Sequence, residues 1–253
     1  VIENVFIQCM DDGEFSNLAL SSAWFGFEFR GREVTRMTAD EIEGRTPRPE
    51  DLVFGGVEVV RPYLAKLGVE PAPIDYPVLL QPWLHRKVER TTLQEVRRRY
   101  QSPGPPMFIK PVEHKLVTGH IVRRFGDLSR WHHTENETEV YLVEPVKFIS
   151  EWRFYIEGSR VVGVDHYKGN PLFFPDRFSV EAMARAYAVD PKCPAAYTLD
   201  VGRTEDDPKG PSTRLVEVND MISVGSYGLD SAIYAGLIEK RWDQLVKPLL
   251  SGY

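Results

Sequence analysis

Cysteine is scarce in this chain. Cys9 and Cys193 are the only two among 253 residues. They lie far apart and match no zinc-ligand spacing. A reducing cytoplasm is the natural setting for such a sequence, and a cytoplasmic location is the expectation. No run of about 20 apolar residues occurs, so no transmembrane helix is expected. Residues 1–7 read as a short apolar strand and lack a signal-peptide pattern. Basic residues do not predominate: 31 Lys and Arg stand against 37 Asp and Glu, a net charge of -6. The electrostatic footprint of a nucleic-acid binder is therefore missing. No internal repeat and no low-complexity segment is visible. What the chain does have is 42% hydrophobic and 11% aromatic residues, enough to bury a core.

The length suits one large domain or two modest ones. The first part reads as a small α/β unit. Strands are expected at residues 5–8, 33–36 and 52–56, and helices at 15–27 and 57–67, the latter stopped by Gly68. Gly55-Gly56 fits a tight strand-to-helix turn better than a phosphate loop. Pro71, Pro73 and Pro77 mark a connector, which places a boundary near residue 78. A helix follows at 92–99, its three arginines reading as a solvated face. Strands are expected at 107–111, 119–123, 139–143, 153–156 and 161–164. A helix at 180–188 and a largely helical tail at 229–249 complete the pattern.

Late in the chain, two strand-like runs carry oxygen ligands. They are Tyr197-Thr198-Leu199-Asp200-Val201-Gly202 and Leu215-Val216-Glu217-Val218-Asn219-Asp220. Alternation puts Glu217 and Asn219 on one face. A turn-rich segment lets the runs pair as a hairpin, with Asp200 beside Glu217. Three oxygen donors on one face suit a hard cation such as Mg²⁺. An edge hairpin with a polar outer face is the other reading of the same pattern.

The order of signals resembles the ATP-grasp superfamily of ligases. Phe108-Ile109-Lys110-Pro111 is an apolar strand ending in a lysine. Val143-Glu144-Pro145-Val146 follows, then Glu151-Trp152-Arg153, then the hairpin and a Gly225-Ser226-Tyr227-Gly228 loop. The Glu-Trp-Arg element is similar to a divergent phage and bacterial branch, and the likeness runs over about residues 80–245. It implies an α+β ATP-grasp fold: a small α/β pre-grasp domain at 1–78, a small lobe at 79–145 and a large lobe at 146–253, with ATP between the lobes.

The same resemblance implies roles. Lys110 would contact nucleotide phosphates, helped by Arg86 and by Lys115 in the loop that closes over them. Leu142, Val143, Glu144 and Val146 would form the adenine hinge. Arg153 would face the phosphates or the acyl intermediate, the alternative being an ion pair with Glu151 or another carboxylate. Many relatives carry an arginine where this chain has Thr198, which adds weight to Arg153. Asp200, Glu217 and Asn219 would hold Mg²⁺, with two ions expected. Ser223, Gly225 and Tyr227 would border the acceptor. The implied activity is ATP-dependent carboxylate–amine ligation through an acyl phosphate, on a small-molecule or peptide acid and an amine. A homodimer, a kinase-like or cyclising enzyme, and a nucleotide-binding protein without turnover are further options. The metal reading leads one to expect that Asp200→Asn abolishes turnover and leaves the melting temperature of the apo protein unchanged or raised.

Overall fold

A computed structural model describes residues 2–112, 117–205 and 212–250. It divides into two units. Residues 1–83 and 149–253 make one, and residues 84–148 make the other.

The larger unit begins with a parallel sheet. Its strands are β1 (Asn4–Gln8), β2 (Val34–Met37) and β3 (Asp51–Phe54), in the order β2-β1-β3. All four residues of β3 are buried, as expected of a parallel strand covered on both faces. Helix α1 (Leu18–Phe29) starts three residues later than the apolar pattern suggests. The reason is Asn17, whose side chain accepts the backbone N–H of Leu20 at 3.2 Å and caps the helix there. Phe15 instead lies outside the helix, under the Arg36 guanidinium. Helix α2 (Ala39–Gly44) is not foreshadowed by apolar periodicity. A Thr38–Glu41 capping box starts it. Helix α3 (Val57–Lys66) follows β3.

The same unit is completed by an antiparallel sheet of β8 (Ser150–Glu157), β9 (Arg160–Gly169), β10 (Ala196–Arg203) and β11 (Thr213–Asp220). The order is β11-β10-β8-β9. Helices α5 (Arg177–Tyr187) and α6 (Ser231–Leu250) accompany it. One core joins the two halves: Ile7, Phe27, Leu52 and Leu64 cluster with Tyr155, Met221, Tyr234 and Trp242. Helices α1 and α6 pack so closely that a Cβ on Gly26 would lie 1.9 Å from the Ser231 carbonyl oxygen, so only glycine fits. The proline connector belongs here too, since Val218 donates its N–H to the Asp75 carbonyl at 3.0 Å.

The smaller unit is a four-stranded antiparallel sheet with one helix. Its strands are β4 (Val88–Thr92), β5 (Met107–Pro111), β6 (His120–Val122) and β7 (Glu139–Val143), in the order β4-β7-β5-β6, and α4 spans Leu93–Arg99. Leu93, Val96 and Tyr100 pack with Ile109, Val140, Leu142 and Trp131 in a separate core. The arginines of α4 are engaged: Arg98 and Arg99 pair with Glu95, and Arg97 donates to the Trp131 carbonyl at 2.6 Å. Among the described residues, no helix is long and apolar enough to cross a membrane.

Candidate active site

The antiparallel sheet of the larger unit has one apolar face and one polar face. On the apolar face, α5 packs against the sheet, with the Tyr187 and Tyr197 rings 5.1 Å apart. The polar face carries a row of ionisable side chains that crosses three strands. Asp200 on β10 is registered opposite Glu217 on β11 and opposite Arg153 on β8. Partners opposite one another share a face, so these three are neighbours. The next pair along β10 and β11 is Thr198 with Asn219. The expected hairpin thus forms, with the Asp200–Glu217 register. A bulge between Asp200 and Val201 interrupts it just beyond the row. Bulges of this kind bend a strand and re-aim side chains next to active sites.

Arg153 and Asp200 form a bidentate ion pair. Nε donates to Oδ1 at 2.8 Å and Nη2 to Oδ2 at 2.7 Å. Both residues are buried. Arg153 Nη1 also donates to the Gly225 carbonyl at 3.3 Å. These bonds to described residues engage three of the five N–H donors of the guanidinium, leaving two for an oxyanion. Burial pushes the Asp200 carboxyl up, to about 6. The Arg153 guanidinium opposes this, while the Glu217 and Glu151 carboxylates add to it. Burial works against the Arg153 charge as well, but Asp200 outweighs it and holds its pKa above the ordinary value. The ion-pair alternative considered for Arg153 is therefore realised, with Asp200 as the partner. This corrects the expectation for Asp200→Asn in the apo protein. Removing the charge would strand a buried guanidinium, so the variant is expected to lose stability.

The loop after β11 is fastened to this face. Ser223 Oγ donates to the Gly55 carbonyl at 2.9 Å. Tyr155 donates its hydroxyl to the carbonyls of Gly225 and Ser226, at 3.0 and 2.6 Å. Of the three residues proposed to border an acceptor, Ser223 and Gly225 thus have polar groups already committed. Tyr227 is 39% exposed and adopts φ +45, with Arg153 Cζ 4.8 Å from its ring centre. Gly55-Gly56 is a tight turn, as expected: the Gly56 N–H donates to Gln8 Oε1 at 2.7 Å.

In the smaller unit, Lys110 is registered with Tyr141, and Ile109 with Leu142. Ile109 and Leu142 face α4 in the core. Lys110 and Tyr141 therefore lie on the opposite face, with Lys110 Nζ 5.8 Å from the Tyr141 ring. Val143 ends β7, and Val146 lies in the coil beyond it. The Glu144 carboxylate accepts the Lys87 N–H at 3.1 Å, and the Glu144 N–H donates to the Lys87 carbonyl at 2.8 Å. Glu144 and Leu142 line a cavity of about 590 Å³ with Tyr100, Pro105 and Met107. Leu142 places that cavity on the α4 side, so it is not the Lys110 face. Arg86 donates to the Leu84 carbonyl at 3.3 Å and lies 5.9 Å from the Phe148 ring centre. Lys115 falls outside the described residues.

Two residues of the polar face have no site role in the sequence reading. Glu151 is buried and pairs with Lys168. Tyr167 donates its hydroxyl to Glu151 Oε2 at 3.0 Å and stacks on Tyr227, with ring centres 5.2 Å apart. The Glu-Trp-Arg element pointed towards Glu151. Nothing local pointed to Tyr167, because the ladder irregularity between Glu151 and Trp152 decides which way it faces.

Residues 83–237 match the model of an ATP-grasp domain family, the second family of its clade. The chain belongs to this ATP-grasp family. No curated protein sequence matches it. Among solved structures it is similar to D-cycloserine synthetase DcsG, at 12% identity and a TM-score of 0.64, covering 96% of this chain and 100% of that one. It is similar to a RimK domain ATP-grasp protein from Sphaerobacter thermophilus, at 13% identity and a TM-score of 0.55, covering 96% and 98%. It is also similar to the ATP-grasp ligase PsnB, solved with a minimal precursor, at 14% identity and a TM-score of 0.53, covering 95% and 100%. These likenesses establish the α+β ATP-grasp fold.

Magnesium is the cation this fold suggests, and the polar face offers a fitting donor set. Asp200, Glu217 and Asn219 are hard oxygen donors. Among the described residues no group of three or more His, Cys, Asp or Glu side chains forms a metal cluster, so the third donor would be the Asn219 amide. Asn219 Nδ2 and Thr198 Oγ1 are buried without hydrogen-bond partners, as expected where a ligand completes the polar shell. Both Asp200 oxygens bond Arg153, yet an ionised carboxylate has about four acceptor sites, so capacity remains.

Proposed function

We propose that this chain is an ATP-dependent carboxylate–amine ligase. A carboxylate oxygen of the acid attacks the γ-phosphorus of ATP, and ADP leaves. The amine nitrogen then attacks the acyl carbon, the C–O bond to phosphate breaks, and inorganic phosphate leaves as the amine loses a proton. The reading rests above all on the Glu217–Asp200–Arg153 row, which sets hard oxygen donors beside a guanidinium with two N–H groups left for an oxyanion.

In this reading Arg153 stabilises charge on the transferring phosphoryl group. Its planar fork suits two oxygens at once. Lys110 supplies a point cation to the phosphates. Backbone groups of residues 142–146 hold the adenine edge, with Glu144 as the nearby carboxylate. Asp200, Glu217 and Asn219 would hold Mg²⁺, expected as two ions. When bound, Mg²⁺ neutralises charge on phosphate oxygens. Tyr227, exposed beside Arg153, borders the acceptor, which is a small molecule or a peptide. Catalysis by positioning and fixed charge needs no covalent nucleophile.

The experiment is a screen of acid and amine pairs for ADP release with Mg²⁺ and ATP. A ligase releases ADP at full rate only when both substrates are present. Mg-dependent ATP binding without turnover in any pairing would leave a nucleotide-binding protein. ADP release with the acid alone, matched by stable phosphorylated product, would make it a kinase.

A further inference from the structure

Between β8 and β9 the ladder pairs Glu151 with Lys168 and Trp152 with His166, so Tyr167 is the extra residue. Such an extra residue turns its side chain away from the simple alternation. Here it falls on the polar face. Its hydroxyl donates to Glu151, whose other oxygen is held by Lys168. Its ring lies almost parallel to that of Tyr227, at 9°. The Arg153 guanidinium carbon is 4.8 Å from the Tyr227 ring centre and 5.9 Å from that of Tyr167.

Tyr227 itself is held in a conformation that non-glycine residues rarely adopt. Such strain persists only where surrounding contacts fix it. The loop bonds of Gly225, Ser226 and Ser223 fix its backbone. The Tyr167 ring fixes its side chain. Burial, reinforced by the Asp200 and Glu151 carboxylates, keeps the Tyr167 phenol protonated, so it remains a donor to Glu151.

We infer that Tyr167 is a positioning residue for Arg153. Glu151 tethers Tyr167, Tyr167 backs Tyr227, and the two rings confine the guanidinium while Asp200 and Gly225 hold its edge. Without the stack, the guanidinium keeps its charge but samples orientations in which its two remaining N–H groups miss the phosphoryl oxygens. This rests on the proposed role of Arg153 at the transferring phosphoryl group.

The test compares Mg-ADP with Mg-ADP plus aluminium fluoride, a mimic of the phosphoryl group in flight, by calorimetry. The variants are Tyr167→Phe, which keeps the stack and loses the tether, and Tyr167→Ala, which loses both. Wild type is expected to bind ADP with aluminium fluoride more tightly than ADP alone. Tyr167→Ala is expected to lose about tenfold of that preference, the size of a desolvated cation–π contact. Tyr167→Phe is expected to lose a smaller part, with ADP affinity unchanged in both. Equal losses for the two ligands mean a merely structural residue and overturn the inference, as does a full preference in Tyr167→Ala. If Tyr167→Ala does not fold, an undiminished preference in Tyr167→Phe overturns it. A wild type that binds ADP but shows no preference overturns the role of Arg153 and this inference, leaving nucleotide binding intact. A wild type that binds neither ligand overturns the nucleotide reading itself.

Discussion

Arg153 and Asp200 face one another across β8 and β10 and share two parallel hydrogen bonds in a buried setting. One carboxylate thus serves the arginine now and is the proposed metal donor when nucleotide arrives. Asp200→Asn keeps the size of the side chain and removes its charge. The apo variant is expected to lose about 3 kcal/mol, the lower end for breaking a buried pair from one side. Urea unfolding at neutral pH measures it. An unchanged midpoint would mean that the pair contributes nothing to the apo fold.

The Asp200 carboxyl also sets a pH dependence. Its folded-state pKa is raised to about 6, against an ordinary 3.8. Between those values the native protein binds more protons than the unfolded chain, so this group's contribution to stability falls as pH rises and levels off above about 6. The stability advantage of wild type over Asp200→Asn is therefore expected to be larger at about pH 4.5 than at about pH 7.5. Unfolding curves of both proteins at the two values check the sign. An advantage that grows with pH would place the folded pKa below the ordinary one.

Arg153→Ala is expected to slow single-turnover acyl-phosphate formation by about 10²–10³, as for loss of one transition-state donor, with ATP affinity much less affected. Arg153→Lys keeps a charge without the fork and should be impaired as well. Rapid-quench measurement with an accepted acid decides. A wild-type rate in Arg153→Ala would leave the arginine as the structural partner of Asp200 alone.

Lys110 lies on the sheet face away from the core of its unit. Lys110→Ala therefore opens no cavity, and its melting temperature is expected to stay near wild type. ATP affinity should fall by about tenfold, the loss of one charge-assisted contact. Calorimetry and thermal melts on the same sample separate the two effects. Unchanged ATP affinity would remove Lys110 from the nucleotide contacts.

The strands whose sequences alternate or are wholly apolar were legible: β1, β3, β5, β7 and the β10–β11 hairpin, including the Asp200–Glu217 register. So was the ATP-grasp family, from the order of Lys110, Glu144, Arg153 and the hairpin. Strand β4 was not, because Val88-Glu89-Arg90-Thr91-Thr92 is mostly polar and half exposed; its partner β7 makes it a strand. Helix α2 has one buried apolar residue, Ile42, and is set by its cap. The Arg153–Asp200 pair joins strands 47 residues apart in sequence, and no local pattern reports such a contact. The same holds for Tyr167, whose orientation depends on a slip in the β8–β9 ladder.

The core that unites residues from both ends of the chain has a consequence for the order of folding. Residues 84–148 are contiguous and carry their own core, so they have all they need once synthesised. The unit of residues 1–83 and 149–253 does not, because Phe27, Leu52 and Leu64 find Tyr234 and Trp242 only when α6 has emerged. Closing that long loop is entropically slow. Pulse-labelled hydrogen exchange during refolding is expected to protect amides of β5 and β7 before those of β1 and β3. The first strands of the chain would thus be among the last to be secured.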